Sequence, residues 1–540
     1  MTVLLRTSRD RTPLSTYAYW VAIAGDGAQP AGKPVPDLGR LLDDAFRGIA
    51  GRWFQIARDL ARRPGSTLSD TVNCAPNVSD FGEMLAWSDL VARWAATAET
   101  VLVVCDDPWM FRHLRALSGV QAGPAPALAG RAIRLAMRGM LARWRFALHS
   151  AWRAVTRQRR RTTAAKGATW ILSYPHPGND GMGRDAYFGE VADTYRPWRV
   201  LHVSSLSAGG AGKAENAKNS ASLHAWGSAT WALTHLPFFR WKLSAEDAEG
   251  PYGWLLRRAA ALEGGTAQAS LSAWQAHCQR RWLDDRRPAV VAWPWENHTW
   301  ERALCRDARA RGVRTVGYQH SVVGPVMLNY AARSNADGGA SLPDTVACTG
   351  ESTRRRLVAW GLDGKATIIA GALRRPATGS VSQDDSGPLF VALPFDARVS
   401  AEMIEAARIA GQQIGCEVIV KAHPVYTHAV KASDGLRPTE TPLGEQSRVS
   451  AVVFAATTVG LEAALMGLPT VRFLPRGHVA LDILPEGTGI PAAGADGLAE
   501  AIRKAQAAPP TLTRGDFFAS VDGDFWQTLF TKGSPHTHDL

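Results

Sequence analysis

Lys421 and His423 stand at the end of an apolar run in VIVKAHPVY, residues 418–426. Both side chains donate hydrogen bonds to phosphate oxygens, and Pro424 turns the chain just after them. A strand ending here presents them to a ligand at its carboxyl end. A His-Pro pair alone is common, but a second stretch gives it a context: FAATTVGLEAALMGLP, residues 454–469. There an apolar run ends at Phe454, and Thr457 and Thr458 precede a helical pattern. Two hydroxyls, the free N–H groups of a helix start and the helix dipole together make an anion site. Glu462 lies one turn further, on the Thr458 face, where a carboxylate accepts both hydroxyls of a ribose. Gly371 and Arg374, just past the run Thr367–Ala370, are assigned to the same nucleotide-binding set.

A third constellation is Trp293-Pro-Trp-Glu-Asn-His-Thr-Trp-Glu301, followed by Tyr318-Gln-His-Ser321. Each follows a short apolar run, PAVVA or RTVG, so both loops face the same side of a sheet. Aromatic residues crowd Glu296. A desolvated carboxylate has a raised pKa, as a general base needs, so Glu296 is the first choice of catalytic carboxylate, with His320 in the donor or acceptor site. The plainer reading makes Glu296-Asn297 a helix cap and the tryptophans core. A second carboxylate candidate lies in SYPHPGNDGMGRDAYFGE, residues 173–190, where Asp180 or Asp185 follows the run Thr169–Ser173 and glycines let a ligand approach the backbone.

The elements that must position these groups alternate. Thr100–Cys105, Thr169–Ser173, Arg199–Ser204, Pro288–Ala292, Thr315–Tyr318, Thr345–Cys348, Leu389–Leu393, Glu417–Lys421, Ala451–Phe454 and Thr470–Phe473 read as strands, with helical patterns between most of them. Apolar strands alternating with helices predict an α/β fold of parallel sheets covered on both faces. SNADGGASLP, residues 334–343, reads as a linker. The chain therefore divides into an N-terminal domain over 1–335, with a basic helical insertion near 127–161, a C-terminal domain over 336–505, and a tail over 506–540 that packs back on the first domain. Neither a Walker A sequence nor a GxGxxG after a strand is present, and no His, Asp and Glu cluster has ligand spacing, so ATPase, dehydrogenase and metal-dependent readings are weak.

The 540 residues are 46% hydrophobic and 20% charged, the composition of a folded protein rather than a disordered one. Six scattered cysteines without a CxxC pair read as buried thiols. The apolar start of the chain is too short for a signal peptide, and no run approaches a membrane span, which predicts a cytoplasmic protein. A net charge of +12 asks for an anionic partner. Much of that charge lies between Arg131 and Arg161, which holds ten arginines and no acid. Ile133, Met137, Met140, Trp144, Leu148, Trp152 and Val155 recur there every three to four residues. This is a basic amphipathic helix of the kind that lies on anionic membranes; the alternative is a helix packed on the domain with a solvated basic face. Its aliphatic pattern, without an RNA-binding signature, argues against nucleic acid.

The Lys-x-His-Pro turn, followed by Thr-Thr-x-x-x-Glu-Ala-x-x-x-Gly-x-Pro after the next strand, resembles the donor domain of GT-B glycosyltransferases that build bacterial surface polysaccharides. The resemblance covers roughly residues 290–475. It is closer to enzymes using CMP-activated acidic sugars, the sialyltransferase-like and Kdo-transferase-like group. It implies a GT-B-like fold, two Rossmann-like domains facing a central cleft. It further implies His423, Thr457 and Thr458 on the CMP phosphate and a metal-independent, cofactor-free transfer of Kdo or a nonulosonic acid to O-antigen, capsule or lipooligosaccharide. The Glu-Asn-x-x-Trp-Glu and Tyr-Gln-His-Ser motifs are similar to those of surface-carbohydrate biosynthesis proteins. His320 resembles the histidine of the Gln-His-Gly/Ser turn in Kdo-type enzymes. The chain departs from the sialyltransferase-like pattern in having no acidic-acidic-Gly tripeptide; Asn179-Asp180-Gly181 is the nearest, which leaves a nucleophilic carboxylate and a retaining mechanism open. UDP-sugar enzymes share the Glu-Ala-x-x-x-Gly-x-Pro part, so a UDP-sugar transferase or epimerase-like enzyme is one alternative, and a non-catalytic scaffold of a polysaccharide assembly complex is another.

Overall fold

A computed structural model of the chain describes residues 3–10, 12–23, 30–97, 99–158, 166–174, 185–203, 219–374, 379, 381–423 and 430–531. Three parallel sheets form its frame. The first, in the order β3-β2-β4-β1-β5, uses β1 (Val3–Arg6), β2 (Tyr19–Ile23), β3 (Lys33–Pro34), β4 (Val101–Cys105) and β5 (Val120–Ala122). The second, in the order β12-β11-β10-β9-β6-β7-β8, uses β6 (Thr169–Ser173), β7 (Trp198–Leu201), β8 (Ser220–Ser222), β9 (Val290–Pro294), β10 (Arg314–Gln319), β11 (Thr345–Cys348) and β12 (Thr367–Ile369). The third begins with β14 (Leu389–Ala392), β15 (Val418–Lys421) and β16 (Leu436–Thr439). It is completed by β18 (Ala451–Phe454), β19 (Thr470–Phe473) and β20 (Ala492–Ala493), in the order β16-β15-β14-β18-β19-β20. A small pair, β13 (Ser382–Gln383) and β17 (Arg448–Val449), flanks it. Every residue of β4, β6, β9, β14 and β18 is buried. Sheets covered on both faces need such continuous apolar strands, which is why the alternation was readable.

Two expectations about domains are corrected. Residues 1–335 contain two sheets, not one; the strand Val3–Arg6 sits between β4 and β5 and carries no alternation to betray it. The division at 336 falls inside the second sheet, because β11 pairs with β10 and β12 with β11. The Asn/Asp/Gly-rich segment there is no linker. It forms short helical turns tied down by buried polar side chains: Arg302 donates to Ser334 Oγ at 2.7 Å and Asn335 Nδ2 to Ser341 Oγ at 2.8 Å. Turn-forming residues serve tight turns inside a domain as readily as tethers between domains.

The third sheet is clamped to the first by buried charge. Arg472, on β19, donates to Asp43 at 2.7 Å and lies 3.4 Å from Asp482, and Arg47 bridges Asp43 and Asp482 at 2.8 Å each. Gly39 admits the close approach, since a Cβ there would lie 2.5 Å from the Leu474 carbonyl oxygen. The tail crosses onto the second sheet: Trp526 is fully buried against Phe188 and Tyr318 and donates to the Ala370 carbonyl at 2.9 Å. Five of the six cysteines are buried and all six are unpaired thiols. No helix among the described residues is long and apolar enough to cross a membrane.

Register brings the motif loops together. Tyr318 of β10 lies opposite Pro294 of β9, so the Glu296 and His320 loops leave the second sheet side by side. In the third sheet Ala392 lies between Lys421 and Phe454, so the His423 and Thr457 loops leave on either side of β14.

Candidate active site

Glu296 sits two residues past β9, on a backbone bent by Asn297 at φ 58°. Glu301 makes that bend. It occupies the third position of the helix Thr299–Arg309, is fully buried, and accepts from the backbone N–H groups of Glu296 and Asn297 at 2.9 Å each and from Trp293 Nε1 at 3.0 Å. This is a capping-box carboxylate reaching one and two residues further back than usual. It accounts for the spacing of Glu-Asn-x-x-Trp-Glu. Asn297 is the second brace, donating to the Asn329 carbonyl at 2.9 Å and to Asn335 Oδ1 at 3.1 Å. Trp293 and Trp295 are fully buried core, as the plainer reading had it.

The bend leaves the Glu296 carboxylate half-buried between two histidines. His298 Nε2 lies 2.8 Å away and His320 Nε2 3.7 Å away. Asn73 Oδ1 accepts from the Ala75 N–H at 3.1 Å, so its Nδ2 faces His298 Nδ1 at 3.1 Å as donor. That fixes the neutral His298 tautomer with Nε2–H donating to Glu296. The expected raised pKa of Glu296 is reversed. Burial pushes it up, but the His298 hydrogen bond and the two imidazoles outweigh burial and hold it down at about 2. Glu301 goes the other way: burial pushes it up to about 7.

Glu296 and His298 line a cavity of about 310 Å³ with Asn73, Tyr174, Tyr187, His202, Gln275 and Trp300. Asp70, Val78, Gln268 and Leu271 line both this cavity and a larger one of about 770 Å³, so the two adjoin. Neither lining contains a lysine or arginine. Two buried polar atoms in the smaller cavity's walls lack a partner among the described residues. Gln275, whose Oε1 accepts from the Val203 N–H at 3.0 Å, has an unbonded Nε2. His202 Nδ1 lies 2.6 Å from the Val203 carbonyl, leaving Nε2 as an unbonded acceptor, and burial lowers this imidazole to about 4 so that it is neutral. Unpaired buried polar groups cost about 1–3 kcal/mol each, a cost that a hydroxyl-bearing ligand relieves. Tyr174, Tyr187 and Trp300 supply aromatic walls.

The remaining sequence candidates distribute unevenly. Arg374 joins this site: its guanidinium lies 5.4 Å over the Tyr187 ring, and its charge reaches His320. Asp185 does not join it. It is fully buried and caps the turn after β6, accepting from Ser173 Oγ and from the Tyr187 and Phe188 N–H groups at 2.8 and 3.0 Å, with Arg199 at 4.0 Å. A carboxylate so enclosed cannot reach a substrate. Asp180 and Pro424 lie outside the described residues. Gly371, at φ 83°, gives way to the tail, since a Cβ there would lie 2.2 Å from the Ser520 carbonyl oxygen; that crossing accounts for the glycine. In the third sheet His423 faces Phe395, ring centroids 6.4 Å apart, and burial lowers its proton affinity. Lys421 pairs with Glu440 at 2.9 Å. Thr457 precedes a helix of seven residues, Val459–Leu465, and Glu462 bonds to Thr458, with burial raising its pKa. None of these third-sheet residues lines either cavity. His298, His202, Gln275 and Asn73 were not among the residues expected from the sequence. His298 lay inside the motif. The other three had no local signal, because separate helices and strands converge on the cavity.

No protein-family model matches the chain, and no curated protein sequence matches it. Solved structures resemble it weakly. The Methanocaldococcus jannaschii UDP-GlcNAc 2-epimerase in complex with UDP-GlcNAc and UDP is 11% identical over 65% of this chain and 96% of its own, with a TM-score of 0.37. The Neisseria meningitidis UDP-GlcNAc 2-epimerase bound to UDP-GlcNAc is 8% identical over 67% and 99%, at 0.38. A lipopolysaccharide outer core galactosyltransferase, WaaB, in its apo form is 9% identical over 68% and 98%, at 0.37. Likeness at this level says nothing about activity or ligand.

Proposed function

We propose that the protein is a glycosyltransferase that moves an uncharged sugar from a pyrimidine-nucleotide donor to a saccharide acceptor at Glu296. The observation that carries this reading is the cavity itself. It combines an ionised carboxylate paired with His298, aromatic walls, and one unpaired donor and one unpaired acceptor, without a lysine or arginine in its lining. That chemistry suits a polyhydroxylated ring. An acidic sugar would place its carboxylate beside Glu296 with no lysine or arginine in the lining, so the Kdo or nonulosonic acid expected from the resemblance fits poorly. A UDP-activated neutral sugar fits better, in keeping with the Glu-Ala-x-x-x-Gly-x-Pro segment over 462–469.

A carboxylate held near 2 is a weak base, so its role is to face the positive charge that develops at the anomeric carbon. In the step proposed, the bond from that carbon to the donor phosphate breaks and its electron pair leaves with the nucleotide. The acceptor oxygen bonds to the carbon, and its proton passes to His202 Nε2. His298 and His320 keep Glu296 ionised throughout. Arg374 and Lys421 are the cations assigned to the phosphates, with His423, Thr457 and Thr458 donating hydrogen bonds there and Glu462 taking the ribose. Calorimetric titration tests the donor side. UDP or CMP is expected to bind and GDP not to, with His423→Ala weakening the nucleotide about tenfold, the size of one charge-assisted hydrogen bond. UDP preference over CMP supports the neutral sugar. Absence of heat with all three nucleotides would end the transferase reading.

A further inference from the structure

The long helix Leu128–Gln158 is mounted inside out. Its inner face is made of small and polar residues as much as apolar ones: Gly139, Arg143, Phe146, Ala147, Ser150, Ala151 and Ala154 are buried. A Cβ at Gly139 would lie 1.8 Å from the Gly264 carbonyl oxygen, and Arg143 donates to Pro237 and Gly264 carbonyls at 3.0 and 2.7 Å, so close approach and hydrogen bonds fix this face to the domain. The apolar stripe faces solvent. Ile133, Met137, Leu141, Leu148, Trp152 and Val155 are each 57–65% exposed, and Met140 and Trp144 are 46% and 40% exposed. Eight of the seventeen exposed large apolar side chains among the described residues lie on this one helix. Phe238, 67% exposed, extends the stripe by packing edge-on to Trp144 at 6.1 Å.

The charge around the stripe selects its occupant. No acidic residue occurs between Asp107 and Asp180, and Arg134, Arg138 and Arg145 are exposed beside the apolar side chains. A protein partner would bring its own mixed charges. An apolar stripe with two tryptophans and a border of arginines suits a bilayer surface, with apolar side chains among the acyl chains and guanidinium groups at anionic headgroups. We infer that this face seats the protein on an anionic lipid membrane. Phe146, on the inner side of the same helix, lines the larger cavity. The cavity therefore lies one helix diameter from the bilayer, where it receives an acceptor saccharide carried on a lipid; that last point rests on the transferase reading, whereas membrane docking does not.

Vesicle flotation of the full chain tests docking without any nucleotide or sugar. Vesicles of phosphatidylcholine with about one third phosphatidylglycerol are expected to carry the protein, and pure phosphatidylcholine to carry much less. Replacing Arg134 and Arg145 together with glutamine should lower partitioning about twenty-five-fold, at about fivefold per arginine. Replacing Leu141 and Trp152 with serine should lower it at least about tenfold. Circular dichroism of both variants should match the wild type, since all four side chains are exposed. Failure of the wild type to float on either vesicle overturns the inference. So does unchanged partitioning of both variants. A stable dimer in solution that the Leu141/Trp152 variant converts to monomer would also overturn it, assigning the stripe to a second copy of the chain.

Discussion

Glu296→Gln is expected to lower kcat about a thousandfold while nucleotide affinity stays within about twofold. The substitution keeps size and shape, and the amide oxygen still accepts from His298 Nε2, so the bend set by Glu301 and Asn297 survives. What disappears is the negative charge facing the anomeric carbon. Removal of one preorganised electrostatic partner in a water-poor site costs about 10²–10³ in rate, and the loss of a full charge belongs at the upper end. The pH profile separates this role from proton transfer. Glu296 is ionised down to about pH 2, so the wild type should show no loss of activity from this group between pH 4 and 7. Turnover retained by the glutamine variant, or an activity limb near pH 5 that the variant alone lacks, would contradict the assignment.

Glu301 should make the protein less stable as pH rises. Its folded pKa, about 7, lies above the ordinary glutamate value of 4.5 because burial disfavours its charge. Between those values the folded state holds a proton that the unfolded state has lost, so stability falls with rising pH. A gap of about 2.5 units corresponds to about 3 kcal/mol, present below pH 4.5 and gone above pH 7. Glu301→Gln keeps an acceptor for the three N–H groups and removes the titration. The unfolding midpoint of the variant should therefore gain on the wild type steadily from pH 5 to 8, by several degrees in all. A constant difference across that range would show that Glu301 is already ionised in the fold.

These two carboxylates also show what the sequence could and could not convey. Parallel strands such as VLVVC and LFVAL announce themselves, because burial on both faces demands unbroken apolar runs. From those strands followed the loops that carry Glu296, His320, His423 and Thr457. The motif Glu-Asn-x-x-Trp-Glu pointed to the right loop but hid the division of labour within it: Glu301 and Asn297 brace, Glu296 faces the cavity, and His298 passed as a spacer. The Glu296 shift has the opposite sign to that expected, because aromatic neighbours are visible in sequence while a histidine partnered from Asn73, 225 residues away, is not. The basic helix illustrates the same limit. Its periodicity was plain, but periodicity does not say which face turns inward; the buried Gly139 and Arg143 decide that.

Hydrogen–deuterium exchange with UDP and CMP reads both sides of the proposed site in one experiment. Slowed exchange is expected at the amides of residues 456–461 beside Thr457 and Thr458 and at those of the 295–300 loop that carries Glu296, with UDP at least as effective as CMP. Protection confined to other parts of the chain, or no protection by either nucleotide at concentrations that saturate binding, would contradict it.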